Sequence, residues 1–295
     1  MSTISGNDAA RFRKALSSHG FPFQYAAIQR IISASSDVGW QFVGSEIPVG
    51  EGENATHADF LFYSPASNAY IVGECKKPDG DSTWLFARSA YSLGRRESAG
   101  GSPATLDQLS PQNNHSQVLL DVVALRGTLA YQVALATKGN AGPIDGTPPR
   151  AQGGDERKGI AGAVTQVLRA ANGFMGVCRD NGRLAFQGGA PTVRFVPVVI
   201  TTATLVVSSE DLHRSSPATG QVHPETEFQS RSWLWFEHPL SISMRAAVAG
   251  RYVDEKARDW ATYFSRAAVR SVAIVNSSSI DTFVRSIDDL ILQSE

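Results

Sequence analysis

The sequence has only two cysteines, Cys75 and Cys178, about a hundred residues apart. That spacing excludes a disulfide framework or a zinc ribbon and fits a reducing cytoplasm. The opening stretch MSTISGNDAARFRK lacks the apolar segment of a secretory signal. No apolar run approaches the eighteen or so residues that cross a bilayer, so no membrane partner is expected. Charge excess is missing too: the net charge is −1 and the pI about 6.6. A chain that coats polyanions without specificity would be basic, so any nucleic-acid contact must come from local patches. Several catalytic signatures are also absent. There is no P-loop, no G-x-S-x-G, no H-E-x-x-H and no G-x-G-x-x-G. ATP-driven translocation, serine hydrolysis, zinc hydrolysis and dinucleotide binding are thereby disfavoured.

What is present is ordinary globular chemistry. The 295 residues are 42% hydrophobic and 19% charged, enough for a proper core. Asp8 to His19 is helix-permissive and stops at Gly20; Pro22 then opens a second helix with Tyr25, Ile28, Ile31, Ile32 and Ser35 on its buried stripe. Trp40 to Val49 reads as a strand, and GEGENAT (50–56) as a loop. His57 to Ser64 and Ala69 to Lys76 read as an antiparallel hairpin closed by Pro65-Ala66-Ser67-Asn68. Residues 78–156 are rich in Gly, Pro, Ser and Asn and read as an insertion, with one helix from roughly His115 to Ala136 and a loop over Lys138 to Asp155. A helix is expected from Arg157, with Ile160, Val164, Val167, Leu168 and Ala171 inward and Gly173 ending it. VRFVPVVITTATLVV (193–207) predicts one central buried strand, paired from Val198 because Pro197 lacks a donor. Ser232 to Phe236 and Val269 to Asn276 predict strands. Ser279 to Leu292 predicts a helix with Ile280, Phe283, Ile287, Leu290 and Ile291 inward. The order implies a single α/β domain over 1–295: a mixed sheet flanked by helices, with core 21–77 and 157–207, insertion 78–156 and C-terminal extension 208–295.

The hairpin carries the chemistry. Alternate residues of a strand share a face, so Glu74 and Lys76 point one way and Cys75 the other. On the partner strand Asp59 falls within a few residues of Glu74. Two carboxylates and an ammonium can meet at one hairpin end, surrounded by apolar sequence. Buried charges cost several kcal/mol each unless paired or bound to metal, and two acids suit Mg²⁺ or Mn²⁺. An acid-x-Lys pattern alone is common. Asp254-Glu255-Lys256 shows it in a charged, helix-like stretch, and Pro78-Asp79 lies in turn sequence. Glu74 and Lys76 differ because an apolar strand ends in them and the preceding strand carries an in-phase Asp.

A helix, then HADFLFYS, a turn and YIVGECKK resembles the PD-(D/E)XK nuclease superfamily, with its restriction endonuclease-like fold. In that resemblance Asp59 takes the aspartate position, Glu74 the acidic position and Lys76 the lysine; Ala58 stands where the family has proline. The likeness covers residues 21–77 and, more weakly, 157–207. It implies a metal-dependent phosphodiester hydrolase, with DNA as the leading substrate and restriction or phage defence as the setting. Mg²⁺ or Mn²⁺ would be held by Asp59, Glu74 and the Cys75 carbonyl. It further implies supporting roles for Glu46, Gln24 and Gln166, each of which also has a plain structural reading: a strand-end glutamate, a helix cap and a helix-packing face. Lys77, Arg88, Arg95 and Arg96 form the nearest basic cluster and could contact phosphates or be solvated loop. His57 reads as a strand residue at the rim, and Trp84 and Phe86 as core. A ribonuclease using the same site, or a catalytically silent scaffold, are the alternatives, and a homodimer or an activating partner is compatible with either.

Overall fold

The computed structural model describes residues 6–50, 55–78, 82–88, 103–112, 117–138, 159–180, 192–211, 215–240 and 269–293. Gly20 separates helix α1 (Gly6–Ser18) from α2 (Phe21–Ser35), and Pro22 sits in the first turn of α2, where its missing N–H removes no intrahelical bond. Three antiparallel strands follow: β1 (Gln41–Val49), β2 (Thr56–Ser64) and β3 (Ala69–Lys76). The turn between β2 and β3 places Asn68 at φ +43, a conformation asparagine tolerates, and the Tyr63 hydroxyl donates to Asn68 Oδ1 at 2.9 Å. Along its whole length β3 pairs in parallel with β9 (Val193–Thr201), a strand whose nine residues are all buried. Outward from β9 come β13 (Val269–Asn276), β12 (Trp233–Pro239) and the short β7 (Ala130–Tyr131).

Helices cover this mixed sheet on both faces. On one face α3 (Ile160–Asp180) packs Val164, Val167 and Leu168 against Phe195, Val199 and Ile274. On the other, α2 and α4 (Ile280–Leu292) bury Ile28, Ile31, Phe283 and Ile287 with Phe60, Phe62, Ile71 and Val275. Each such side chain contributes roughly 1.5–3 kcal/mol when buried, so the two clusters fix the sheet in place. The fold is mixed α/β with helices flanking a mixed sheet, as the element order implied. Among the described residues no helix is long and apolar enough to cross a membrane.

Several local expectations need correction. The stretch expected to be a helix around 115–136 is instead strand: β6 (Gln117–Ala124) pairs with β5 (Thr105–Gln112), and β8 (Val133–Lys138) pairs with β4 (Ser82–Arg88). Gly127 at φ +70 interrupts any helix there, and β-branched valines favour the pleated alternative once partners exist. These strands are built into the sheets: β5 adds to β9, while β4 and β8 join β10 (Thr204–Asp211) and β11 (Phe228–Arg231) in a second sheet. The run 193–207 is therefore two strands in two sheets, broken at Thr202-Ala203. Pro197 does sit within a paired strand, opposite Val72. On the other edge of β9 it falls between the stretch paired to β5 (193–195) and that paired to β13 (198–201), where a missing donor costs least.

Gly173 does not end α3, which continues through Met175 and Cys178. A Cβ there would lie 2.9 Å from the Gly50 nitrogen, so this glycine lets the helix lie against the end of β1. On α2 the buried stripe turns by one residue: Gln24 is buried and Tyr25 is 57% exposed, because Gln24 has partners beneath it. On α4 Val284 is buried while Leu290 is half-buried. Most of the expected loop 138–155 lies outside the described residues.

Candidate active site

The ladder between β2 and β3 runs from Ser64 opposite Ala69 to Phe60 opposite Gly73, and there it stops. β3 continues beside β9 through Glu74, Cys75 and Lys76. The next rung would have set Asp59 against Glu74. Instead the Asp59 carboxylate accepts the Cys75 backbone N–H at 2.7 Å, replacing the strand carbonyl that β2 no longer supplies. The two strands separate here with their acidic residues at the fork. Gly73, directly before the fork, leaves space for the Phe60 ring, which a Cβ would enter.

Glu74 is 2% exposed, and its Oε1 lies 2.7 Å from Lys76 Nζ. Its Oε2 is buried with no hydrogen-bond partner. Lys76, on the same strand face, also donates to Gln166 Oε1 on α3 at 3.2 Å. From α2, Gln24 Nε2 donates to Glu46 Oε1 at 2.5 Å and to the Asp59 carbonyl at 3.3 Å. Glu46 reaches this position differently from the sequence expectation. A register shift between Phe42 and Gly44 breaks its phase with Phe42, and the flanking pairs Ser45–Phe60 and Ile47–Ala58 bring it opposite Asp59. Its φ of +51 is left-handed, costing a non-glycine residue roughly 1–2 kcal/mol. Gln24, Glu46, Asp59, Glu74, Lys76 and Gln166 thus gather from α2, β1, β2, β3 and α3.

Charge in this fork is under-compensated. Burial pushes the Glu74 carboxyl up to about 7, Asp59 adding to the effect and Lys76 opposing it. Burial also pushes Asp59 up to about 6, against the Cys75 N–H, while Glu46 raises it further. A site with several carboxylates and one lysine lacks positive charge. A divalent cation would supply it, and the orphaned Glu74 oxygen is the atom such an ion would satisfy. Among the described residues no group of three or more His, Cys, Asp or Glu side chains is set to hold a metal ion. Two carboxylates with a backbone carbonyl and waters still fit Mg²⁺, which keeps much of its hydration shell.

The Cys75 thiol is raised well above its ordinary value by burial and then by Asp59 and Glu74, so it stays a thiol and no nucleophile. Both cysteines are free. His57 is exposed on β2, two residues before Asp59, and Trp84 and Phe86 are core. Of the expected basic cluster, Lys77 and Arg88 fall among the described residues. Lys77 donates to the Ser17 carbonyl at 2.8 Å, and Arg88 lies over the Tyr131 ring at 5.6 Å, so each serves a different element. Arg95 and Arg96, like Asp254-Glu255-Lys256, lie outside the described residues. No protein-family model, curated protein or solved structure matches this chain.

Proposed function

We propose that this chain is a divalent-metal-dependent nuclease, with DNA as its leading substrate. One observation carries the reading: Asp59 and Glu74 meet at the fork of β2 and β3 beside Lys76, with one Glu74 oxygen buried and unpartnered. The central order β1–β2–β3–β9, with α2 and α3 alongside, is also consistent with a restriction endonuclease-like core. Placing the chain in restriction or phage defence is analogy from that fold.

Asp59, Glu74 and the Cys75 carbonyl are the groups that would hold Mg²⁺ or Mn²⁺. When bound, such an ion supplies Lewis-acid polarisation of a phosphoryl oxygen and a more acidic water. The protein's own groups do the rest. Glu74 and Gln166 hold the Lys76 ammonium on the open side of the fork, and at 24% side-chain exposure it can still reach a ligand. There it donates to a phosphate oxygen or to the attacking water and balances the charge that grows on phosphorus. Gln24 fixes Glu46 and the Asp59 backbone together, so the acidic wall of the site is set before substrate arrives.

The test is incubation of the purified chain with plasmid, single-stranded DNA and RNA in Mg²⁺, Mn²⁺ or EDTA, beside Lys76→Ala and Glu74→Ala. Metal-dependent cleavage reduced at least about a hundredfold by either substitution is expected. Cleavage indifferent to both would refute the assignment.

A further inference from the structure

Helix α1 has almost no buried side. Of residues 8–17 only Ala9 is even partly shielded, and the rest are exposed. A helix of thirteen residues is marginal in water without packing, so what it presents outward matters. It presents three cations, Arg11, Arg13 and Lys14, against the single acid Asp8, on a chain whose net charge is −1. Just beyond it, His19 and Phe21 stack at 4.4 Å between ring centroids and 23° between planes, both exposed. Tyr25, one helical turn after Phe21, is 57% exposed.

Two contacts tie this surface to the fork. Lys77, the residue after Lys76, donates to the Ser17 carbonyl near the end of α1. Gln24, one residue before Tyr25, bonds to Glu46 and to the Asp59 carbonyl. The basic helix and the exposed rings therefore begin at the edge of the site. Cations beside aromatic faces are what an unpaired nucleic-acid strand needs: phosphates track the charges and unstacked bases lie on rings. A closed duplex offers phosphates but no free base faces.

We propose that α1 and the first turn of α2 are the docking surface for a single-stranded nucleic-acid segment, with Arg11, Arg13 and Lys14 on its phosphates and His19, Phe21 and Tyr25 against its bases. The inference rests on the nuclease reading for its ligand class and deepens it: the substrate carries an unpaired stretch beside the cleaved bond.

Binding is read separately from cleavage, by fluorescence anisotropy of a labelled single-stranded oligonucleotide and of the same sequence as a blunt duplex, in EDTA, over a salt series. The wild-type chain is expected to prefer the single strand. Arg11→Ala/Arg13→Ala/Lys14→Ala should flatten the slope of log K against log salt by about 2, as three lost phosphate contacts predict. Phe21→Ala/Tyr25→Ala should weaken single-strand binding at least about fivefold while leaving that slope in place. Unchanged melting temperatures show that the fold persists in both variants. Equal slopes and affinities in wild type and variants would overturn the proposal, as would absence of single-strand binding by the wild type. An α1-dependent dimer in sedimentation, without strand binding, would overturn it in favour of self-association. Metal-dependent cleavage without single-strand binding would remove this inference and leave the nuclease reading. Single-strand binding through these residues without any cleavage would do the reverse.

Discussion

Replacing Glu74 with glutamine removes the charge from a carboxyl that is 2% exposed and has one oxygen without a partner, while keeping its shape. Burial, helped by Asp59, raises this group from its ordinary 4.5 to about 7 in the folded chain. The folded state therefore holds the Glu74 proton more tightly than the unfolded state does. Its contribution is fully favourable below about pH 4.5 and is lost as pH rises to 7 and beyond. At about 1.4 kcal/mol per pH unit, the ionised carboxylate costs the metal-free fold at most about 3.5 kcal/mol at pH 8. Glutamine escapes the cost but brings an amide N–H₂ that needs an acceptor. The expected gain for Glu74→Gln is then roughly 1–3 kcal/mol at pH 8 in EDTA, shrinking towards zero near pH 4.5. Urea unfolding of both proteins across that pH range measures it. A wild type more stable than Glu74→Gln at pH 8, or a difference independent of pH, would show that the ionised Glu74 carboxylate does not burden the fold.

Two further substitutions probe the scaffold around the fork. Gly73→Ala drives a methyl into the Phe60 ring and should cost roughly 1–3 kcal/mol in denaturant unfolding, with loss of divalent-ion binding as the strand ends shift. Arg270→Met leaves Asp107 on β5 without the guanidinium 2.7 Å away and should cost about 3–5 kcal/mol, much of it recovered by adding Asp107→Asn.

The hairpin that holds the site is legible in sequence because everything it needs is local. Thr56 to Lys76 combines β-branched and aromatic alternation with a four-residue turn, and β3 forms over the residues expected. β13 and α4 are legible for the same reason. What escaped depends on partners distant in sequence. Whether the described residues 117–136 become helix or strand is decided by β5, β4 and β12, which no local pattern reveals. The apolar run 193–207 changes sheet after Thr201: its first half is buried throughout, whereas Thr202 and Thr204 are exposed and Val206 is half-buried, a change that its apolar composition does not mark. Gly173 resembles a helix stop, yet its lack of a side chain serves packing against Val49 and Gly50. The site shows the same division. Strand alternation places Glu74 and Lys76 together, while Asp59 is held beside them where the β2–β3 ladder ends, by accepting the Cys75 N–H. Glu46 reaches the cluster through a bulge and a left-handed backbone that simple phase-counting along β1 misses.

Isothermal titration of Mn²⁺ into the wild-type chain, Asp59→Asn and Glu74→Gln asks directly whether the fork between β2 and β3 holds a divalent ion. Binding by the wild type is expected to weaken at least about tenfold in each variant, since even the outer partners of metal ligands matter that much. Equal binding by all three proteins, or none by the wild type at millimolar Mn²⁺, would contradict ion binding at the fork.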